Sequence, residues 1–244
     1  RSRGPGHAPQ SFRLAASGHP LKPMRIHVCS AHFGGPPPWP HALRSEHHTL
    51  SLQYYTDSNS PARSAVMHPR LRGKVPKMLE WRNVDADWYI WLDSSVRVKA
   101  PDLAEAVLQT AGDHPLCLFR HSLACSIREE AKGVLRGMSN GVEYFLNRYS
   151  GEPIAEQVRH YLDDPAFHDN QLFWMGCFAY HRSAAALMQE WFLHNCLWSV
   201  EDQLSFPYVL ARSGLSHALF TGTPVNNPLV EWDWRAREAS SSPR

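Results

Sequence analysis

WYIWLDSSVRV, Trp88 to Val98, sets five large apolar residues in a row and follows them with an acid, Asp93. An apolar run without alternation suits a strand covered on both faces, as in a parallel sheet with helices on each side. In open sheets of that kind, ligands bind beyond the carboxyl ends of the strands. Asp93 therefore stands where a ligand would, beside the Ser94 and Ser95 hydroxyls. Such a carboxylate can hold a divalent cation or accept hydrogen bonds from sugar or ribose hydroxyls. It can equally cap the next turn through its neighbours' amides. Residue type alone leaves both roles open.

Working outward, strands and helices alternate. MRIHVC and TLSLQYYTD read as strands upstream, the second ended by Asp57-Ser58-Asn59. GKVPKMLEWRNV between them and Trp88 reads as a short helix with Pro76 in its first turn. Downstream, PDLAEAVLQTAG reads as a helix, PLCLFRH as a strand, and SIREEAKGVLRGM and PIAEQVRHYLDD as helices. QLFWMGCFAYH is strand-like, and SAAALMQEWFLHNCLW is a helix with Ser183 as its expected cap. VEDQLSFPYVLARSG is a helix kinked or begun near Pro207, and HALFTGT is a last strand. The alternation predicts an α/β sandwich with a largely parallel sheet.

The chain has 244 residues and no linker-like interruption, so one domain is expected. Residues 1–23, rich in Pro, Gly, Ser and Arg, read as a disordered tail, and Met24 reads as the natural start of a domain spanning 24–244. The balance of 25 basic against 23 acidic side chains argues against a duplex nucleic-acid binder. The 15 histidines are scattered, with no HExxH spacing. Five cysteines without a CxxC suit reduced thiols. No run of about 18 apolar residues encodes a membrane span. A cytoplasmic protein, free or peripherally bound to a membrane, is expected.

Two further clusters join Asp93. Arg120 and His121 end the PLCLFRH strand, and Arg128, Glu129 and Glu130 begin the next helix. Arginines there suit a diphosphate, through bidentate bonds to phosphate oxygens. The acids also simply favour a helix N-terminus. Glu201, Asp202 and Gln203 begin the VEDQLSF helix, where an acid is again a common cap. Beside Asp93, the Asp202–Gln203 pair offers a carboxylate and an amide to sugar hydroxyls or to charge near a reacting carbon.

KVPKMLEW, YIWLDSSVRV, LFRHSLACSIREEA and CLWSVEDQLSFPYVL, in that order from about residue 70 to 215, resemble the glycosyltransferase-like family of TOD1/MUCI70 type, once labelled a domain of unknown function. DQLSFPYVL is the most specific of the four. The resemblance implies a GT-A-like three-layer domain, with a mostly parallel central sheet flanked by helices, that binds a nucleotide-sugar donor of the UDP class. It implies that Asp93 stands in the place of a DxD motif that binds donor diphosphate through Mn²⁺ or Mg²⁺. It implies that Asp202, with Gln203, faces the donor sugar or the acceptor as the catalytic pair. Lys77, Arg120 and His121 fall within matching segments, and with Ser95, Arg128 and Glu130 complete the expected donor-binding set.

The pattern also departs from that family. A full DxD would carry an acid at position 95, where this chain has Ser95. One carboxylate holds a divalent cation weakly, so the metal either has phosphates and a later residue as further ligands or is replaced by a basic side chain. Two rivals to a transferase follow: a non-catalytic module that binds a sugar-nucleotide or glycan, and a hydrolase. The hydrolase has no GxSxG and no clustered zinc ligands to support it.

Several aromatic and imidazole residues read as structure. Trp174, Trp191 and Trp198 are expected in the core, and His181 and His194 on helix surfaces or in the core. Trp39, in a proline-rich loop, is the better sugar-stacking candidate. EWDWR, Glu231 to Arg235, is either a lid over the site or a terminal strand.

Overall fold

Trp88–Asp93 forms β3, an inner strand of a six-stranded sheet in the computed structural model, which describes residues 22–35 and 42–232. The expected tail lies almost wholly outside the described residues, as do Trp39 and Asp233–Arg235. The sheet order is β2-β1-β3-β6-β5-β7. The strands are β1 (Arg25–Ala31), β2 (Thr49–Tyr55), β5 (Leu116–Arg120), β6 (Phe173–His181) and β7 (Ala218–Leu219). β1 pairs in parallel with β2 and β3, and β5 with β7; β6 runs antiparallel between β3 and β5. Five strands therefore share one direction, as the alternation predicted, and the direction of β6 is a product of the tertiary fold.

The missing alternation in WYIWL has a direct cause. Tyr89 and Trp91 enter one core, while Trp88, Ile90 and Leu92 enter the core on the opposite face. Each such side chain withdrawn from water contributes about 1.5–3 kcal/mol. That burial holds β3 in place and carries Asp93 to its carboxyl end, opposite Ala31 of β1.

α1 (Pro69–Leu79), α6 (Ala185–Leu197) and α7 (Asp202–Ser213) contribute to the first core, with α3 (Ile127–Ser139) and α5 (Ile154–Leu162). α2 (Leu103–Ala111) covers the second face, together with a two-stranded sheet of β4 (Val96–Val98) and β8 (Val230–Trp232). Glu231 and Trp232 thus belong to a strand pair. Among the described residues no helix is long and apolar enough to cross a membrane. All five cysteines are free thiols.

Three local details differ from expectation. α1 begins at Pro69, four residues before Gly73, so Pro69 and not Pro76 occupies its first turn. Ser183 does not cap α6; it lies in a 3₁₀ turn, its N–H donating to His181 Nδ1, and Ala184 precedes the helix without a side-chain cap. α7 begins at Asp202, with Glu201 as its cap, and Pro207 lies inside it. A short helix, α4 (Glu143–Tyr149), was not anticipated. Its Phe145 ring rests so close to Gly137 of α3 that a Cβ there would run into it, which explains the glycine.

β6 also carries an irregularity that matters for the site. The β5 step Leu118–Phe119 spans Phe178 to Trp174 on β6. Side chains that alternate between cores up to Met175 resume out of phase at Cys177. A bulge re-aims side chains in this way. The Trp174 indole folds over Gly176, where a Cβ would meet the ring.

Candidate active site

A cavity of about 690 Å³ opens at the carboxyl ends of β1 and β3, beside the β6 irregularity. Asp93 sits in its floor, with a side chain 41% exposed. Trp91, two residues earlier and hence on the same strand face, donates from Nε1 to Asp93 Oδ1 at 2.6 Å. Lys77 Nζ stands 3.5 Å from the same oxygen. These are the contacts of an oriented, charge-paired carboxylate.

Lys77 connects Asp93 to the second acid. It is almost fully buried on α1 and lies 2.7 Å from Asp202 Oδ2, which Lys74 Nζ also approaches to 2.5 Å. Burial alone would raise the Asp202 carboxyl, but the two ammonium groups overcome it and hold the pKa at about 2. Lys77 is shifted upward: burial works against its charge, and Asp202 with Asp93 outweighs it. Lys74, with burial again the largest influence, is shifted downward. At neutral pH Asp202 and Lys77 are both charged.

Glu201 is buried beside them, and burial followed by Asp202's charge raises its pKa. The Tyr149 hydroxyl donates to Glu201 Oε2, and the Gln203 N–H donates to Oε1 at 3.2 Å. Gln203 Nε2 reaches both Glu201 Oε1, at 3.3 Å, and Glu130 Oε1, at 3.4 Å. Gln203 thereby ties the start of α7 to α3. On that side His121 Nδ1 accepts from the Ala124 N–H at 2.9 Å, so a neutral ring carries its proton on Nε2, which faces Glu130 at 3.9 Å. Glu129 instead accepts from the Cys125 N–H at 2.7 Å, a helix-start role.

Asp93, Ser95, Lys77, His121, Glu130, Asp202 and Gln203 thus line one cavity, although up to 126 residues separate them in sequence (77 to 203). Arg120 and Arg128 do not line it. Arg120 is exposed at the end of β5, and Arg128 borders a smaller recess with Arg159 and Asp163. Trp174 and Trp232 line the cavity with ring centroids 6.0 Å apart, whereas Trp191 is core and donates to the Asp202 carbonyl. Sequence reading missed Arg70, Lys74 and Arg148. For the first two a signal existed: Arg70, Lys74 and Lys77 recur at i, i+4 and i+7, one face of a helix, once α1 is begun at Pro69.

Fold and cavity together define an α/β protein with a polar ligand site at its strand ends. No family model and no curated protein matches the chain. Among solved structures it is similar to a glycosyltransferase involved in the glycosylation of the major capsid of PBCV-1, at 11% identity and a TM-score of 0.49, covering 88% of this chain and 97% of that one. It is also similar to the apo structure of the bifunctional glycosyltransferase WbbM, at 11% identity and a TM-score of 0.46, covering 85% of this chain and 40% of that one.

Proposed function

We propose that the chain is a glycosyltransferase, moving a sugar from a nucleotide-sugar donor, of the UDP class by resemblance to the TOD1/MUCI70-type family, to an acceptor hydroxyl. The observation that carries this reading is the meeting of Asp93, Lys77 and Asp202 in one cavity at the strand ends. In that reaction the bond between the anomeric carbon and the diphosphate oxygen breaks, and its electron pair leaves on the diphosphate. The acceptor oxygen forms the new bond to that carbon and gives up its proton.

The residues have distinct parts in this scheme. Lys77 and Lys74 meet the charge that grows on the leaving diphosphate, in a site already built around them. Asp202, ionised well below neutral pH, keeps both ammoniums charged and in place, and offers its own charge to the sugar centre. Asp93 fixes Lys77 from the other side. Glu130, held near His121 and Gln203, is the carboxylate placed to receive the acceptor proton.

The test is a panel of nucleotide-sugars, followed by release of nucleoside diphosphate and transfer of sugar. One donor should turn over, and Asp202→Asn should slow it by about 100-fold or more. Binding of a donor without release or transfer under any acceptor would instead establish the binding-module alternative. Absence of both turnover and donor-induced thermal stabilisation would refute the nucleotide-sugar reading.

A further inference from the structure

Four cations border the cavity, and they fall into two kinds. Lys74 and Lys77 are paired, with Asp202 and, for Lys77, also with Asp93. Arg70 lies one turn before Lys74 on the same helical face, and Arg148 comes from α4. Among the described residues neither arginine makes an ion pair, and Nε of Arg148 is buried without a hydrogen-bond partner. Its guanidinium lies over the Tyr144 ring, 4.1 Å from the centroid, which fixes its direction. Burial, and then the charge of Arg148, lowers Arg70 to about 10, although Tyr149, Glu201 and Asp93 pull the other way. Two like charges held together in a partly dry wall are costly unless an anion completes them.

The same wall is poorly suited to a divalent cation. Hard cations of this size want several oxygen ligands. Asp93 has one oxygen already shared between Trp91 Nε1 and Lys77, and position 95 is a serine. Asp202, joined to Asp93 through Lys77, is held by two ammonium groups at 2.5 and 2.7 Å. Among the described residues no three His, Cys, Asp or Glu side chains converge on a metal position. A cation bound to Asp93 would also stand beside the Lys77 ammonium and be repelled by it.

We infer that the diphosphate of the nucleotide ligand is held by Arg70, Lys74, Lys77 and Arg148 themselves, with no divalent metal, and that Arg70 and Arg148 form its outer clamp. This rests on the nucleotide-sugar reading. A diphosphate supplies the missing counter-charge, and guanidinium groups match phosphate oxygens two at a time. Asp93 then serves as a fixed counter-ion that sets the position of Lys77, which accounts for the absence of a second acid at Ser95.

The experiment is calorimetric titration of the full chain with UDP, GDP, ADP and inorganic pyrophosphate, in EDTA and again with Mg²⁺ or Mn²⁺. At least one nucleoside diphosphate should bind in EDTA, with an affinity that either metal changes by less than about threefold. Arg70→Gln and Arg148→Gln should each weaken it by about tenfold or more while leaving the thermal midpoint equal or higher, because an uncompensated charge is removed. Arg70→Lys should lose less than Arg70→Gln. Binding that requires metal would overturn the metal-free clamp and leave the transferase reading standing. Metal-free binding unaffected by either glutamine variant would also overturn the clamp. No binding of any probe, with or without metal, would remove both the clamp and the nucleotide reading beneath it.

Discussion

Two buried carboxylates packed against α1, Glu80 and Asp202, stand in contrasting surroundings. Glu80, in the turn after the helix, is fully buried; it accepts from Tyr55 Oη at 2.9 Å and lies 3.1 Å from His27 Nε2. Ser51 Oγ meets the other nitrogen of His27 at 2.8 Å. This cluster knits β1, β2 and the end of α1 and does not line the cavity at the strand ends. Asp202 is as well buried, but its partners are two lysines on a cavity wall, with two further cations beyond them that lack ion pairs among the described residues. The first cluster is closed on itself. The second includes two arginines that lack ion pairs among the described residues and border open space. Charged groups left without ion pairs at a cavity, more than burial as such, single out a candidate site.

Breaking the closed cluster should have the largest effect on stability. Glu80→Ala leaves His27 and Tyr55 without their acceptor and should cost about 3–5 kcal/mol in denaturant unfolding. The folded fraction should keep its nucleotide affinity. A loss below about 1 kcal/mol would contradict the view of Glu80 as a structural keystone.

Asp202→Asn comes next, since its lysines can turn to cavity water. The fall of its pKa from the ordinary 3.8 to about 2 corresponds to roughly 2 kcal/mol. Because the folded value is the lower one, this stabilisation is complete above about pH 4 and disappears as pH falls through about 2. Urea midpoints at pH 5 and pH 2 should therefore diverge less in Asp202→Asn than in the parent. An equal acid sensitivity in both would move the effect to other carboxylates.

Gly176→Ala probes the cavity edge, where the Trp174 ring occupies the space of a Cβ. It should cost about 1–2 kcal/mol and shift tryptophan emission as the indole is displaced. Nucleotide affinity should fall with it, whereas a loss of stability alone would make the irregular strand purely structural. The smallest effect belongs to the surface. Asp85 pairs with Arg25 and Arg182 in solvent, and Asp85→Asn should leave the thermal midpoint unchanged within measurement.

Much of this was legible in the chain because it depends on short-range pattern. An uninterrupted apolar run bounded by an acid announced a doubly covered strand with a carboxylate at its ligand-binding end, and β3 is that strand. SIREEAKGVLRGM reads as a helix opening with acids, and α3 is that helix, capped by Ser126 and Glu129. Asp93, Asp202 and Gln203 stand out in the sequence as residue types suited to one chemistry, and Lys77 through the family resemblance. Their convergence required the sheet to stack α1 and α7 over the end of β3, which no local spacing encodes.

What the sequence alone determined, then, is most of the longer elements and their polarity pattern, because burial on one face or two is written at periods of two and 3.6 residues. The tertiary structure decided the direction of β6, the bulge beside Gly176, and the wall that sets Arg148 of α4 against Arg70 of α1. Each of these depends on contacts between segments far apart in the chain, and charge left unpaired can be counted only after every partner has been placed.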